Sequence, residues 1–121
     1  MSVISTTEFT LGYLTLPEAS AARAIKIWSD PLVDREGRAA IRAKDGGLQM
    51  RWDANLLPQV AVWMNLGAWS ADGSTPYFNL GLEPCMGAQD SLAEAVTKYK
   101  LVANLPPHGR KTWWLEIELT A

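Results

Sequence analysis

Apolar and polar residues alternate with a period of two along most of the chain. Leu48, Met50 and Trp52 alternate with Gln49, Arg51 and Asp53. Trp113, Leu115, Ile117 and Leu119 alternate with Trp114, Glu116, Glu118 and Thr120. The same pattern runs through Phe9, Leu11 and Tyr13, through Ile25 and Ile27, and through Ile41 and Ala43. Side chains on a strand point alternately to opposite faces, so each run predicts a half-buried β-strand. Trp113, in phase with Leu115 and Ile117, is expected in the core.

Turn chemistry separates these runs. Asp45-Gly46-Gly47 predicts a hairpin, because glycine accepts positive φ. Ser29-Asp30-Pro31, Ala71 to Pro76 and Pro106-Pro107-His108-Gly109 mark further connections. One segment departs from the period: Ser91 and Glu94 stand at capping-box spacing, which predicts a short helical turn. About eight strands in 121 residues predict an all-β fold, an antiparallel β-sandwich or barrel, as a single domain over 1–121.

Residues 77–85 hold the most unusual feature. Phe78, Leu80 and Leu82 share one face, the expected core face; Tyr77, Asn79, Gly81 and Glu83 share the other. Burying a carboxylate costs several kcal/mol unless it is paired or neutral, so Glu83 needs a partner, solvent or a use. Arg51, Arg42 and Arg23 are candidate partners across a sheet. In the preceding run, Val62, Met64 and Leu66 oppose Trp63, Asn65 and Trp69, and the loop 71–76 makes the two runs hairpin neighbours. A carboxylate, amides and rings on one sheet face form the chemistry of a sugar site, since rings stack on pyranose C–H faces and polar groups hold hydroxyls. The candidate contacts are Trp63, Asn65, Arg51, Asn79 and Tyr77, with Trp69 as a further ring. Glu83 is the carboxylate of that candidate site.

Charge and cysteine narrow the classes. Net charge is −2 and the eleven basic residues are scattered, which argues against a nucleic-acid partner. One cysteine, Cys85, excludes an internal disulfide and fits a cytoplasmic location. Cys85 and the single His108 are too few for a Cys/His zinc site, so neither metal nor cofactor is expected. Cys85 reads as a packed small hydrophobe and His108 as a solvated turn residue. No stretch approaches the ~20 apolar residues of a membrane span, so no membrane partner is expected.

The run Val62-Trp63-Met64-Asn65, then Gly81-Leu82-Glu83-Pro84-Cys85, Asp90-Ser91 and Leu105-Pro106-Pro107-His108-Gly109 before Trp113-Trp114-Leu115 resembles the galactose mutarotase (aldose 1-epimerase)-like superfamily. The resemblance covers the C-terminal part of that fold, from about Leu48 onward. It implies a partial supersandwich with a concave carbohydrate-binding face, and an isomerase in which Glu83 takes the proton of the anomeric hydroxyl. The family's general-acid histidine lies in an N-terminal half to which this chain has no counterpart, and losing a positioned acid typically costs ~10²–10⁴-fold.

Three readings follow. The first is a protein binding a hexose or related sugar. The second is an active epimerase with the acid supplied by a partner subunit. The third is a structural or interaction module with Glu83 in an ion pair. Half a supersandwich leaves sheet edges bare, so a homodimer is expected. Met1 and the tidy final strand favour a stand-alone chain, as an expectation.

Overall fold

A computed structural model describes residues 22–121. It contains six strands: β1 (Arg23–Trp28), β2 (Glu36–Ala43), β3 (Gly46–Asp53), β4 (Gln59–Leu66), β5 (Phe78–Cys85) and β6 (Leu115–Thr120). They form two antiparallel three-stranded sheets, ordered β1-β4-β5 and β2-β3-β6. The all-β class therefore holds, with six strands described where about eight are expected. The expected strand around Phe9, Leu11 and Tyr13 lies outside the described residues. The described chain falls into two compact units, residues 22–27 with 62–83, and residues 28–61 with 84–121.

In the first unit, Val62, Met64 and Leu66 of β4 are buried. Ile25 and Ile27 of β1 and Leu80 and Leu82 of β5 pack against them. These are the in-phase positions of three strands, so one sheet face is apolar throughout. Phe78 leaves the pattern: it shares the phase of Leu80 and Leu82 but is about half exposed, at the start of the strand.

The second unit centres on Trp52, which is fully buried. Its indole N–H donates to the Leu57 carbonyl at 3.0 Å, so the one polar atom of the ring is satisfied. Gly37 lies opposite Trp52 in the β2–β3 register, and a Cβ there would overlap the indole. The β2–β3 hairpin closes through Lys44 and Asp45, pairing Ala43 with Gly46. Gly46 has φ +140°, and a Cβ on it would stand 2.8 Å from the Thr120 carbonyl oxygen of β6. The predicted glycine turn is therefore also where the last strand approaches.

The short helical turn is present. Helix α1 (Leu92–Glu94) begins at Ser91, whose hydroxyl accepts the Glu94 N–H at 3.3 Å. It passes into a π-helical turn over Ala95–Tyr99, stopped by left-handed Lys100. The last strand corrects an expectation. Trp113 precedes β6 and is 47% exposed, and Leu115, Ile117 and Leu119 also face solvent. Alternation identified the apolar face there but not whether anything covers it.

Candidate functional site

The face of β1-β4-β5 opposite the apolar one carries the chemistry. Lys26 sits between Ile25 and Ile27, so the alternation that buries the isoleucines turns it to the other side. Its Nζ meets Glu83 Oε2 at 2.9 Å, with the lysine side chain 16% exposed and the glutamate 44%. The pair joins the outer strands across β4. Glu83 thus has a basic partner, but a different one from the arginines expected. Lys26 was legible as the one basic residue in the polar phase of β1.

On β5, Gly81 lies beside Trp63 of β4. A Cβ at Gly81 would stand 3.6 Å from Trp63 Cβ and 3.7 Å from Glu83 Oε1, which are ordinary contact distances. Backbone packing therefore does not demand glycine at 81. What the missing methyl leaves is a notch floored by backbone, with an aromatic side chain on one side and Glu83 Oε1 on the other.

Three rings extend this surface. Trp63 and Trp69 meet edge-to-face at 5.8 Å, and Trp69 meets Tyr77 at 6.2 Å with planes 73° apart. Trp69 and Tyr77 are both more than 40% exposed, so the series presents ring surface to solvent. Asn79, on β5, is exposed as well.

Asn65 behaves differently from its expected contact role. It is fully buried, and its amide is committed to the loop that follows β4. Nδ2 donates to the Trp69 carbonyl at 2.7 Å, while Oδ1 accepts the N–H groups of Ala68 at 3.2 Å and Trp69 at 3.1 Å. Asn65 positions Trp69 rather than meeting a ligand. Gly67 completes the turn by donating its N–H to the Tyr77 carbonyl at 3.2 Å, at a φ of +78°.

Arg51 belongs to the other sheet. Its Nη2 and Nε donate to Glu36 at 2.7 and 3.1 Å, and Nη1 donates to Glu116 at 3.1 Å. Arg38 Nε also donates to Glu36, at 2.7 Å. These donors hold the Glu36 carboxyl down at about 2, well below its ordinary value. The Arg51 fork is filled by two carboxylates of its own sheet, which is a structural use of the side chain.

The remaining candidates are placed simply. The Cys85 thiol is half-buried and donates to the Gly87 carbonyl at 3.2 Å. His108 is exposed, in a turn closed by the Gly109 N–H donating to Pro106 O at 2.8 Å. Among the described residues, no three His, Cys, Asp or Glu side chains gather as a metal ion requires, and no helix is long and apolar enough to cross a membrane. A shallow hollow of about 380 Å³ is lined by Cys85, Gly87, Ala88, Leu92, Ala95 and Leu101. It is mostly apolar and includes none of the residues of the aromatic face.

No family model, curated protein or solved structure matches the chain.

Proposed function

We propose that the outer face of β1-β4-β5 binds a hexose or related sugar, in a β-sandwich of the galactose mutarotase-like, partial supersandwich type. The observation that carries this is the edge-to-face series Trp63–Trp69–Tyr77 beside the Gly81 notch, with Glu83 Oε1 at its rim. Exposed rings offer flat apolar surface for the C–H face of a pyranose. Glu83 and Lys26 together supply an acceptor and a donor for hydroxyls, in a neutral pair that favours an uncharged ligand over an ionic one.

The epimerase reading rests on Glu83 as base, taking the proton of the anomeric hydroxyl with Oε1 while Oε2 stays on Lys26. It needs an acid, and His108 is the single histidine of the sequence. In this reading a partner subunit supplies the acid, in the homodimer expected of half a supersandwich. Sedimentation at micromolar concentration tests that dimer, and a solely monomeric species excludes it.

The Lys26–Glu83 contact favours a second reading, in which Glu83 is purely structural. A thermal-shift screen over neutral hexoses separates the two, because a ligand of the folded state raises the melting temperature by mass action. The binding reading expects a shift that Trp69→Ala abolishes. No shift from any hexose leaves the structural reading standing.

A further inference from the structure

The sheet order β2-β3-β6 puts β6 at an edge among the described strands. Its apolar residues are open: Leu115 is 41% exposed, Ile117 54% and Leu119 81%. The backbone phase of this edge follows from one hydrogen bond. The Asp53 N–H donates to the Trp114 carbonyl at 3.1 Å, and the register continues as Trp52 opposite Leu115 down to Gly47 opposite Thr120. In an antiparallel ladder, hydrogen-bonded and non-hydrogen-bonded pairs alternate. Residues 114, 116, 118 and 120 therefore direct their backbone groups at β3. Leu115, Ile117 and Leu119 direct theirs outward, away from every described strand. The same three residues thus carry both the outward backbone groups and the exposed apolar side chains, a template for one more strand.

The charges on β6 say what that strand contains. Glu116 and Glu118 lie on the opposite, polar face, where Arg51 reaches Glu116 and Gln49 stands opposite Glu118. A second copy pairing antiparallel through β6, apolar side to apolar side and fully overlapped, sets Glu116 against Glu118 of the other copy twice. Like charges directly opposed on a sheet destabilise the pairing. The glutamates therefore work against pairing of two copies through this edge and favour basic residues in the same positions.

We infer that the outer edge of β6, open among the described strands, captures an extended segment of a protein partner in which apolar and basic residues alternate. Three apolar side chains of that segment continue the face of Leu115, Ile117 and Leu119. Its lysines or arginines lie beside Glu116 and Glu118. This is β-augmentation with the register fixed by charge, and it uses none of the residues of the aromatic face.

The test uses the full chain and three labelled eight-residue peptides of equal length. One alternates valine and lysine, one alternates valine and glutamate, and one has the first composition with the valines and lysines in separate blocks. Fluorescence anisotropy is expected to show saturable binding of the alternating lysine peptide alone. Glu118→Lys is expected to weaken that peptide roughly tenfold and to admit the glutamate peptide, as reversal of a cross-strand charge pair requires. Circular dichroism of the variant verifies its fold. Slowed amide exchange at Leu115, Ile117 and Leu119 places the bound peptide on β6. Absence of binding, or equal binding of the blocked peptide, overturns the inference. So does a dimer in the peptide-free protein that Ile117→Lys dissociates, which assigns the edge to a second copy.

Discussion

Lys26 Nζ lies 2.9 Å from Glu83 Oε2, tying the two outer strands of a three-stranded sheet together across the central one. The lysine is the more buried partner, so the pair is asymmetric. Removing the carboxylate takes one counter-charge away from a largely desolvated ammonium, whereas removing the ammonium leaves a half-exposed carboxylate that water can solvate. Glu83→Gln is expected to cost about 1–3 kcal/mol. Lys26→Met is expected to cost less, and the double variant to recover most of the Glu83→Gln loss. Urea denaturation of the four proteins as a double-mutant cycle measures this. Additive losses would show that the two side chains do not interact.

The same substitution at two glycines is expected to act with opposite sign. Gly37→Ala drives a methyl into the buried Trp52 indole and should destabilise by about 1–3 kcal/mol, the usual range for overpacking. Gly81→Ala meets only ordinary contacts and relieves a flexible strand position, so stability should hold or rise by about 0.5 kcal/mol. Its effect belongs to binding: filling the notch beside Trp63 should weaken a hexose by about tenfold. Thermal melts and calorimetric titration of both variants check the contrast. Unchanged sugar affinity in Gly81→Ala would remove the notch from the site.

Asn65→Ala should leave the backbone groups of Ala68 and Trp69 without their partner in a buried position. The expected loss is about 2 kcal/mol or more. Near-ultraviolet circular dichroism should change as well, because the Trp63–Trp69 geometry depends on that turn. An intact spectrum with lowered stability would mean that the rings are held by their own packing.

The acid limb of stability is expected to run through Glu36. Its folded carboxyl sits at about 2, against 4.5 ordinarily, because Arg51 and Arg38 donate to it. Between those values the unfolded chain takes up a proton that the folded chain refuses. This contribution is therefore complete above about pH 4.5 and is lost as pH falls toward 2. Glu36→Gln should flatten the stability profile over that window, with the slope measured by denaturant titration at successive pH values. An unchanged slope would place the acid sensitivity elsewhere.

Much of this fold was legible from spacing. The alternation of β3, β4 and β5, the glycine hairpin and the Ser91 cap all depend on neighbours within a few residues, and each is present. The two phases of residues 78–83 correctly separated Leu80 and Leu82 from Gly81 and Glu83. Other features depended on which strands become neighbours, and period-two patterning does not encode that. Glu83 found Lys26 rather than an arginine because β1 joins the same sheet, while Arg51 found carboxylates of β2 and β6. Asn65 was placed on the aromatic side by phase, yet the chain turns back over it within four residues and buries it. Trp113 and β6 show the remaining limit: alternation identifies an apolar face, and exposure depends on what the rest of the chain brings to it.

The Asn65 turn divides the β4–β5 connection into two parts with different freedoms. Trp69 is fixed from behind by an amide on β4, and Gly67 is fixed by Tyr77, so both ends of the loop are set before its tip begins. The tip, residues 71–75, is exposed and closes on itself through the Asp72 carboxylate accepting the Ser74 N–H and the Ser70 hydroxyl donating to the Ser74 carbonyl. Length and composition there can change while the rings keep their stations. The molecule thereby carries a graft point next to its aromatic surface, where an inserted epitope or dye would report on that surface without reshaping it.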